Sequence, residues 1–130
     1  MKDRLLTEVT IQELHLELLR RTRFNAFDGE DIHEDLLAMP DLWHAVLLDA
    51  GGLSATGGGA GLIKLRDMAG NYYNVDTLYI LAIDARAAQS LAEYAERWLA
   101  DTVHIASNEE TSRSLGSYDT DYRLVSMWWD

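Results

Sequence analysis

No cysteine occurs in this chain, which excludes disulfide bonds, thiolate metal sites and a thiol nucleophile. Basic residues are scarce: 11 Lys and Arg stand against 22 Asp and Glu, a formal net charge of −11. That balance argues against a general nucleic-acid binder, which needs a basic footprint. It argues equally against docking on anionic lipid, and it suits solubility or attraction to a basic protein partner. Long hydrophobic runs are missing too. No window approaches the roughly 18 apolar residues of a membrane span, so no membrane partner is expected. The opening Met1-Lys2-Asp3-Arg4-Leu5-Leu6 includes an acid and lacks an apolar core, so no secretory signal is read. The cytoplasm is the expected compartment. Proline appears once, at Pro40.

What is present is enough for a core. Residues 1–130 fit a single domain, and 48% of them are hydrophobic against 25% charged. A first helix is predicted over roughly 10–22. Thr10 and Glu13 have capping-box spacing, and Ile11, Leu14 and Leu18 form an apolar stripe. Arg20, Arg21 and Arg23 fall near its end, where the helix dipole favours cations. Asp28 caps a second helix, which Pro40 ends or kinks because it has no N–H donor. A helical pattern resumes through Leu42, Trp43, Val46 and Leu47. Residues 51–61 then hold six glycines among eleven positions, which reads as a loop.

The second half reads as strand-rich. Ile63 and Leu65 alternate with Lys64 and Arg66, the pattern of a half-exposed strand over 62–67. Ala69-Gly70-Asn71 is turn chemistry. Val75 to Ile83 is apolar on both faces, as central strands are. Asp84 caps a helix over roughly 85–99, and 102–106 is a short strand. Ser107 and Glu110 open a short helix that Gly116 closes. Residues 118–121 form a polar turn before a last strand from Tyr122 to Trp129. The expected architecture is α/β: a mixed sheet of about four strands with helices on both faces. It has a helical first half (1–50), the glycine-rich loop (51–61), then a β-hairpin plus βαβαβ (62–130). Two right-handed crossovers would feed parallel strands.

Catalytic signatures fail on spacing. Thr56 to Lys64 has glycines and a lysine, but a phosphate loop follows a strand, opens a helix and places its lysine directly after the last glycine. The acids around His33 lack the alternate spacing and mid-loop glycine of a calcium loop. Asp31 and Asp35 do share a helix face, but acids at a helix start suit the dipole without any metal. His15, His33, His44 and His104 are the available imidazoles, and no serine lies in a Gly-x-Ser-x-Gly elbow. An acid–acid-x-lysine nuclease core fails because position 62 is leucine. No catalytic residue, metal or cofactor is assigned.

Two groups of residues stand out as sites. With parallel strands, ligands bind beyond the strand carboxyl ends, where Asp84, Ser107 and Asn108 would form a candidate ligand edge. The other group is aromatic. Trp128 and Trp129 are adjacent on a strand, so they point to opposite faces. Together with Tyr72, Tyr73 and Trp43 they are the candidate interface, since an exposed indole favours association. Charge adds a third pattern: between Phe24 and Ile63 there are seven acids and no Lys or Arg.

The stretches Leu62-Ile63-Lys64-Leu65-Arg66-Asp67 and Asn74-Val75-Asp76-Thr77-Leu78-Tyr79-Ile80-Leu81, with the closing Trp128-Trp129-Asp130, resemble small uncharacterised bacterial proteins carried on mobile gene cassettes. That resemblance implies no activity and no functional residues. The expected function is a non-enzymatic binding protein, self-associating as a homodimer or meeting a basic protein through acidic and aromatic surface. The alternatives are a small-ligand binder or enzyme at the strand-end edge, with the glycine loop as lid, and a DNA-mimic or immunity-type inhibitor.

Overall fold

The computed structural model describes residues 4–49, 63–117 and 121–130. The glycine-rich loop and the turn at 118–120 lie outside them. After a 3-10 turn at Leu6–Glu8, helix α1 spans Ile11–Arg20. Thr10 caps it by accepting from the Glu13 N–H, and the Glu13 carboxylate accepts in return from the Thr10 N–H. Two short strands, β1 (Arg23–Phe24) and β2 (Phe27–Asp28), form a tight hairpin, with Asn25 at φ 51 in its turn. Helix α2 (Gly29–Ala38) follows, capped by Asp28. It stops just before Pro40, as the missing N–H requires.

Strand β3 (Trp43–Asp49) comes next, then α3 (Ile63–Met68), β4 (Thr77–Ala82), α4 (Ala85–Ala92) and α5 (Tyr94–Arg97). Strand β5 (Thr102–Ile105), α6 (Asn108–Leu115) and β6 (Arg123–Trp128) complete the order. Asp84 and Ser107 cap α4 and α6 as read from the sequence, and Gly116 closes α6 at φ 70.

The α/β class and the four-stranded sheet stand, but several details differ from expectation. Residues 43–49 are a strand, not a continuation of helix. Val46 and Leu48 point inward while Leu47 and Asp49 are exposed, a two-residue period that a short apolar run shares with half of a helical pattern. Residues 63–68 are helix, not strand, so the expected hairpin with 75–83 does not form. Lys64, Leu65, Arg66 and Met68 are good helix formers, and Leu65, the expected inward residue, is 64% exposed. Finally, the sheet order is β3-β4-β6-β5 and every pairing is antiparallel. Strands β4 and β5 do run in the same direction across the α4–α5 connection. The last strand inserts between them, however, so no parallel ladder forms and the sheet is not mixed.

One face of the sheet carries Val46, Leu48, Leu78, Ile80, Val125 and Met127, which join Leu19, Ile32, Leu36 and Leu91 of the helices in one buried cluster. Helix α1 packs on α2 and β3, and α4 packs on β4, β5 and β6. Helices were expected on both faces. The register instead places Ala45, Leu47, Thr77, Tyr79, Leu81, Leu124, Ser126, Trp128 and His104 on the opposite face, and all of them except buried Thr77 are half-buried or exposed. Among the described residues no helix is long and apolar enough to cross a membrane.

Gly29 is where the α1–α2 packing is tightest. A Cβ there would lie 1.8 Å from the Leu19 carbonyl oxygen and 2.7 Å from that of Thr22. Both are backbone atoms that cannot rotate away. Gly29→Ala is expected to lose about 3 kcal/mol through overpacking. Gly116→Ala, with open space but a left-handed φ, should lose about 1 kcal/mol. Gly70→Ala meets only ordinary contacts and should be near neutral. Urea unfolding of the three variants checks this ranking.

Candidate functional site

The opposite sheet face contains a cleft of about 180 Å³ where β4, β6 and β5 lie side by side. Its walls include Thr77, Tyr79, Thr102, His104, Ser126 and Trp128. These side chains converge because the registers Thr77↔Trp128↔Thr102 and Tyr79↔Ser126↔His104 set them in two rows on one face. Four bear hydroxyls, two present aromatic rings, and all are neutral apart from His104 when protonated. The His104 Nε2 lies 3.5 Å from the Glu110 carboxylate. The Glu110 carboxyl is held below its ordinary value, first by the Ser107 N–H and less by His104. Tyr79 is pushed upward by burial and by the acids Asp49 and Asp76.

Asp76 braces the base of this cleft. It is fully buried, and its carboxyl accepts from the Trp128 Nε1–H at 3.0 Å and the Thr77 hydroxyl at 2.8 Å. Its backbone carbonyl accepts from the Trp129 N–H at 2.9 Å. A buried carboxyl with well-placed donors fixes side-chain orientation, so the Trp128 ring is a rigid wall.

Thr102 and His104 of β5 form one side of the cleft, and the two edges of the sheet are treated differently. On the β3 edge the outward N–H and C=O of Val46 are both taken by the Gln12 side chain, at 2.9 and 3.1 Å. The amide of Gln12 thus imitates a neighbouring strand. On the β5 edge, Thr102 and His104 face β6, because Ala106 donates to the Leu124 carbonyl in the same ladder. Val103 and Ile105 therefore turn their N–H and C=O outward. Among the described residues β5 pairs with β6 alone.

The structure distributes the sequence candidates unevenly. Trp129 is core: it is fully buried, and its ring packs against Phe27 in a tilted arrangement, with centroids 4.2 Å apart. Trp128 lines the cleft. Trp43 is half-buried and donates to the Leu36 carbonyl. Tyr72 is 52% exposed and Tyr73 half-buried, and both sit away from the cleft in the turn before β4. Asp84 and Ser107 lie at one end of the sheet and serve as helix caps. Asn108 opens α6 beside Ser107, and the cleft on the sheet face is lined by other residues. The acid-only stretch does not make an acid-only surface. Arg23 lies 3.3 Å from both Asp28 and Glu30, Arg97 meets Asp31 and Asp35, and Lys64 meets Asp49. Such compensation lends no support to a DNA-mimicking row of carboxylates.

The histidines sit on α1, α2, β3 and β5. His44 stacks on Tyr122 at 4.8 Å, and burial lowers His33. Among the described residues no group of three or more His, Asp or Glu could hold a metal ion.

A second cleft was missed at the sequence level. Arg20, Arg21 and Arg23 line a cavity of about 300 Å³ with Glu30, Asn71 and Tyr72. The Arg-Arg-Thr-Arg run was visible, but dipole compensation at the helix end was a sufficient account of it until the turn at 70–72 came beside it. Glu17 is the shared counter-ion of Arg20 and Arg21. The Arg20 guanidinium holds its carboxyl at about 2, with burial opposing and Arg21 adding.

No protein-family model, curated protein or solved structure matches this chain.

Two outcomes are expected. Trp128→Phe keeps the ring but removes the donor to buried Asp76, and should cost about 2 kcal/mol in urea unfolding. Glu17 has a folded pKa below its ordinary value of 4.5, so its stabilisation is complete above that value and fades as pH falls toward 2. Thermal melts between pH 5 and 2 should show a shallower acid slope for Glu17→Gln than for the parent. Equal slopes would remove Glu17 from the account.

Proposed function

We propose that this chain is a binding protein that takes an extended, basic segment of a partner polypeptide along the outer edge of β5. The observation that carries this reading is the contrast between the two sheet edges. An unsatisfied row of backbone N–H and C=O groups is what another strand pairs with, and on β3 Gln12 already occupies the outward pair of Val46. Strand addition takes its affinity from main-chain hydrogen bonds and its selectivity from pockets for alternate side chains. The cleft at Tyr79, His104 and Trp128 lies on the face where alternate residues of an added strand would project. An apolar or aromatic side chain fits its rings, and the surrounding hydroxyls suit a polar tip.

Charge selects the kind of segment. A chain at −11 repels a second copy of itself and attracts cations over a Debye length. Acids also flank β5: Asp101 at its start and Glu109 and Glu110 beyond its end, all exposed. Lysines or arginines on either side of a short apolar stretch complement that arrangement. The mixture of hydroxyl, indole and imidazole in the cleft supports recognition better than bond-making, because the imidazole lies on the exposed rim.

Titration with a ten-residue peptide alternating lysine with valine and tyrosine tests the reading by calorimetry and amide exchange. Binding should protect the Val103 and Ile105 amides and weaken at least tenfold between 50 and 500 mM salt, on the order expected for several ion pairs. Val103→Pro removes one outward N–H without disturbing the ladder to β6, and should weaken binding at least tenfold while the melting curve stays close to parental. Binding that is indifferent to Val103→Pro overturns the edge assignment. A concentration-dependent dimer that Val103→Pro dissociates would hand the same edge to a second copy and overturn the basic-peptide reading.

A further inference from the structure

We propose that the cleft between the end of α1 and the turn before β4 is a binding site for a small molecule that joins an oxyanion, carboxylate or phosphate, to a flat ring. Its walls are two stretches some fifty residues apart in the chain. They are held together by three contacts: Arg21 Nη1 donates to Asn71 Oδ1 at 2.8 Å, the Arg23 N–H donates to Asn74 Oδ1 at 3.4 Å, and the Tyr73 N–H reaches the Arg21 carbonyl at 3.5 Å. The walls are thus fixed independently of any ligand. The cavity, about 300 Å³, is at the lower end of the range for small-molecule sites.

The chemistry of the walls selects the ligand. Three of the chain's 11 Lys and Arg meet in this one cleft. The end of a helix carries only about half a negative charge, and Glu17 adds one carboxylate for Arg20 and Arg21 together. Arg23 approaches Asp28 and Glu30 only at 3.3 Å, and both carboxylates are more than half exposed. That distance is long for a charge-assisted bond, which settles near 2.7–2.9 Å. Each guanidinium has five N–H donors, and fewer than half of the fifteen find a partner among the described residues. Guanidinium donors are of the kind that recognise a planar carboxylate or a phosphate. Tyr72, 52% exposed, supplies a ring face beside them, and Asn71, at φ 67, holds the turn that presents it. A ligand with both an anion and a ring uses both walls, whereas a bare anion uses one.

The test is a titration of the full chain with phenyl phosphate, benzoate and inorganic phosphate, followed by backbone amide and arginine Nε–H resonances. Phenyl phosphate or benzoate should shift Arg21, Arg23, Asn71 and Tyr72 saturably, and bind at least fivefold more tightly than inorganic phosphate. The stronger of the two ring compounds then names the oxyanion. Arg21→Gln with Arg23→Gln should lose binding at least tenfold, while Arg86→Gln with Arg113→Gln, on distant exposed cations, should retain it. If the first pair proves unstable, Tyr72→Leu should abolish the advantage of the ring compounds over inorganic phosphate with the arginines intact. Shifts spread evenly over all exposed arginines, equal affinity for the three probes, or no saturable shift would overturn the proposal.

Discussion

Trp129 donates from its Nε1 to the Trp98 carbonyl at 2.9 Å and from its backbone to the Asp76 carbonyl at 2.9 Å, while its ring packs against that of Phe27. Those three partners come from the α4–α5 segment, the start of β4 and the small hairpin between α1 and α2. A single indole therefore joins the first and last parts of the chain, with no exposure to solvent. Few residues can do this. The ring must be large enough to reach Phe27, and its polar atom must still find an acceptor once buried. The insertion of β6 between β4 and β5 follows from the same requirement, because it carries Trp129 to the centre of the core side.

Placing Trp129 in the core forces its neighbour Trp128 onto the other face, since successive strand residues alternate. An indole on a face without a full helical layer is costly unless something orients it. Asp76 does so through its side chain, while its backbone holds Trp129. The same residue thus ties the packed face to the open one. A rigid aromatic wall on the open face is a by-product of core packing that the cleft can use. The β5 edge then lies next to a wall that does not need to reorganise when a partner arrives, which lowers the entropic cost of association.

Much of the fold could be read from residue patterns where local chemistry was decisive. Thr10, Asp28, Asp84 and Ser107 mark helix starts because their side chains satisfy N–H groups that no helix can satisfy internally. The apolar run at 77–82 is a central strand because both faces are apolar. Where the reading failed, the deciding contact was distant in sequence. Residues 43–49 are a strand because β4 offers a ladder to pair with, and nothing within the segment itself distinguishes Trp43, Val46 and Leu47 from a helical face. Residues 63–68 alternate in polarity over too few positions to outweigh their helical preference. Antiparallel order in the sheet depends on where β6 inserts, which no local pattern encodes. The aromatic candidates were legible as a group. Their division into core (Trp129), cleft wall (Trp128) and distant turn (Tyr72, Tyr73) was not.

Charge shows the same limit from the other side. A run of seven acids without a base looks in one dimension like a strongly negative surface. In three dimensions Lys64 and Arg97 come from outside the run to meet Asp49, Asp31 and Asp35, and Arg23 stands at 3.3 Å from Asp28 and Glu30. The reverse holds for the arginines of α1. In sequence they complete a helix, whereas in space they meet Asn71 and Tyr72 and become one wall of a cleft. Folding therefore flattens the feature that is most prominent along the chain and concentrates one that is barely visible there. The protein's field at long range remains that of −11, drawing cations toward it. At the scale of a few ångströms, the cleft beside α1 is lined by three guanidinium groups, so the groups that attract partners from a distance differ from those that would hold a small ligand in place.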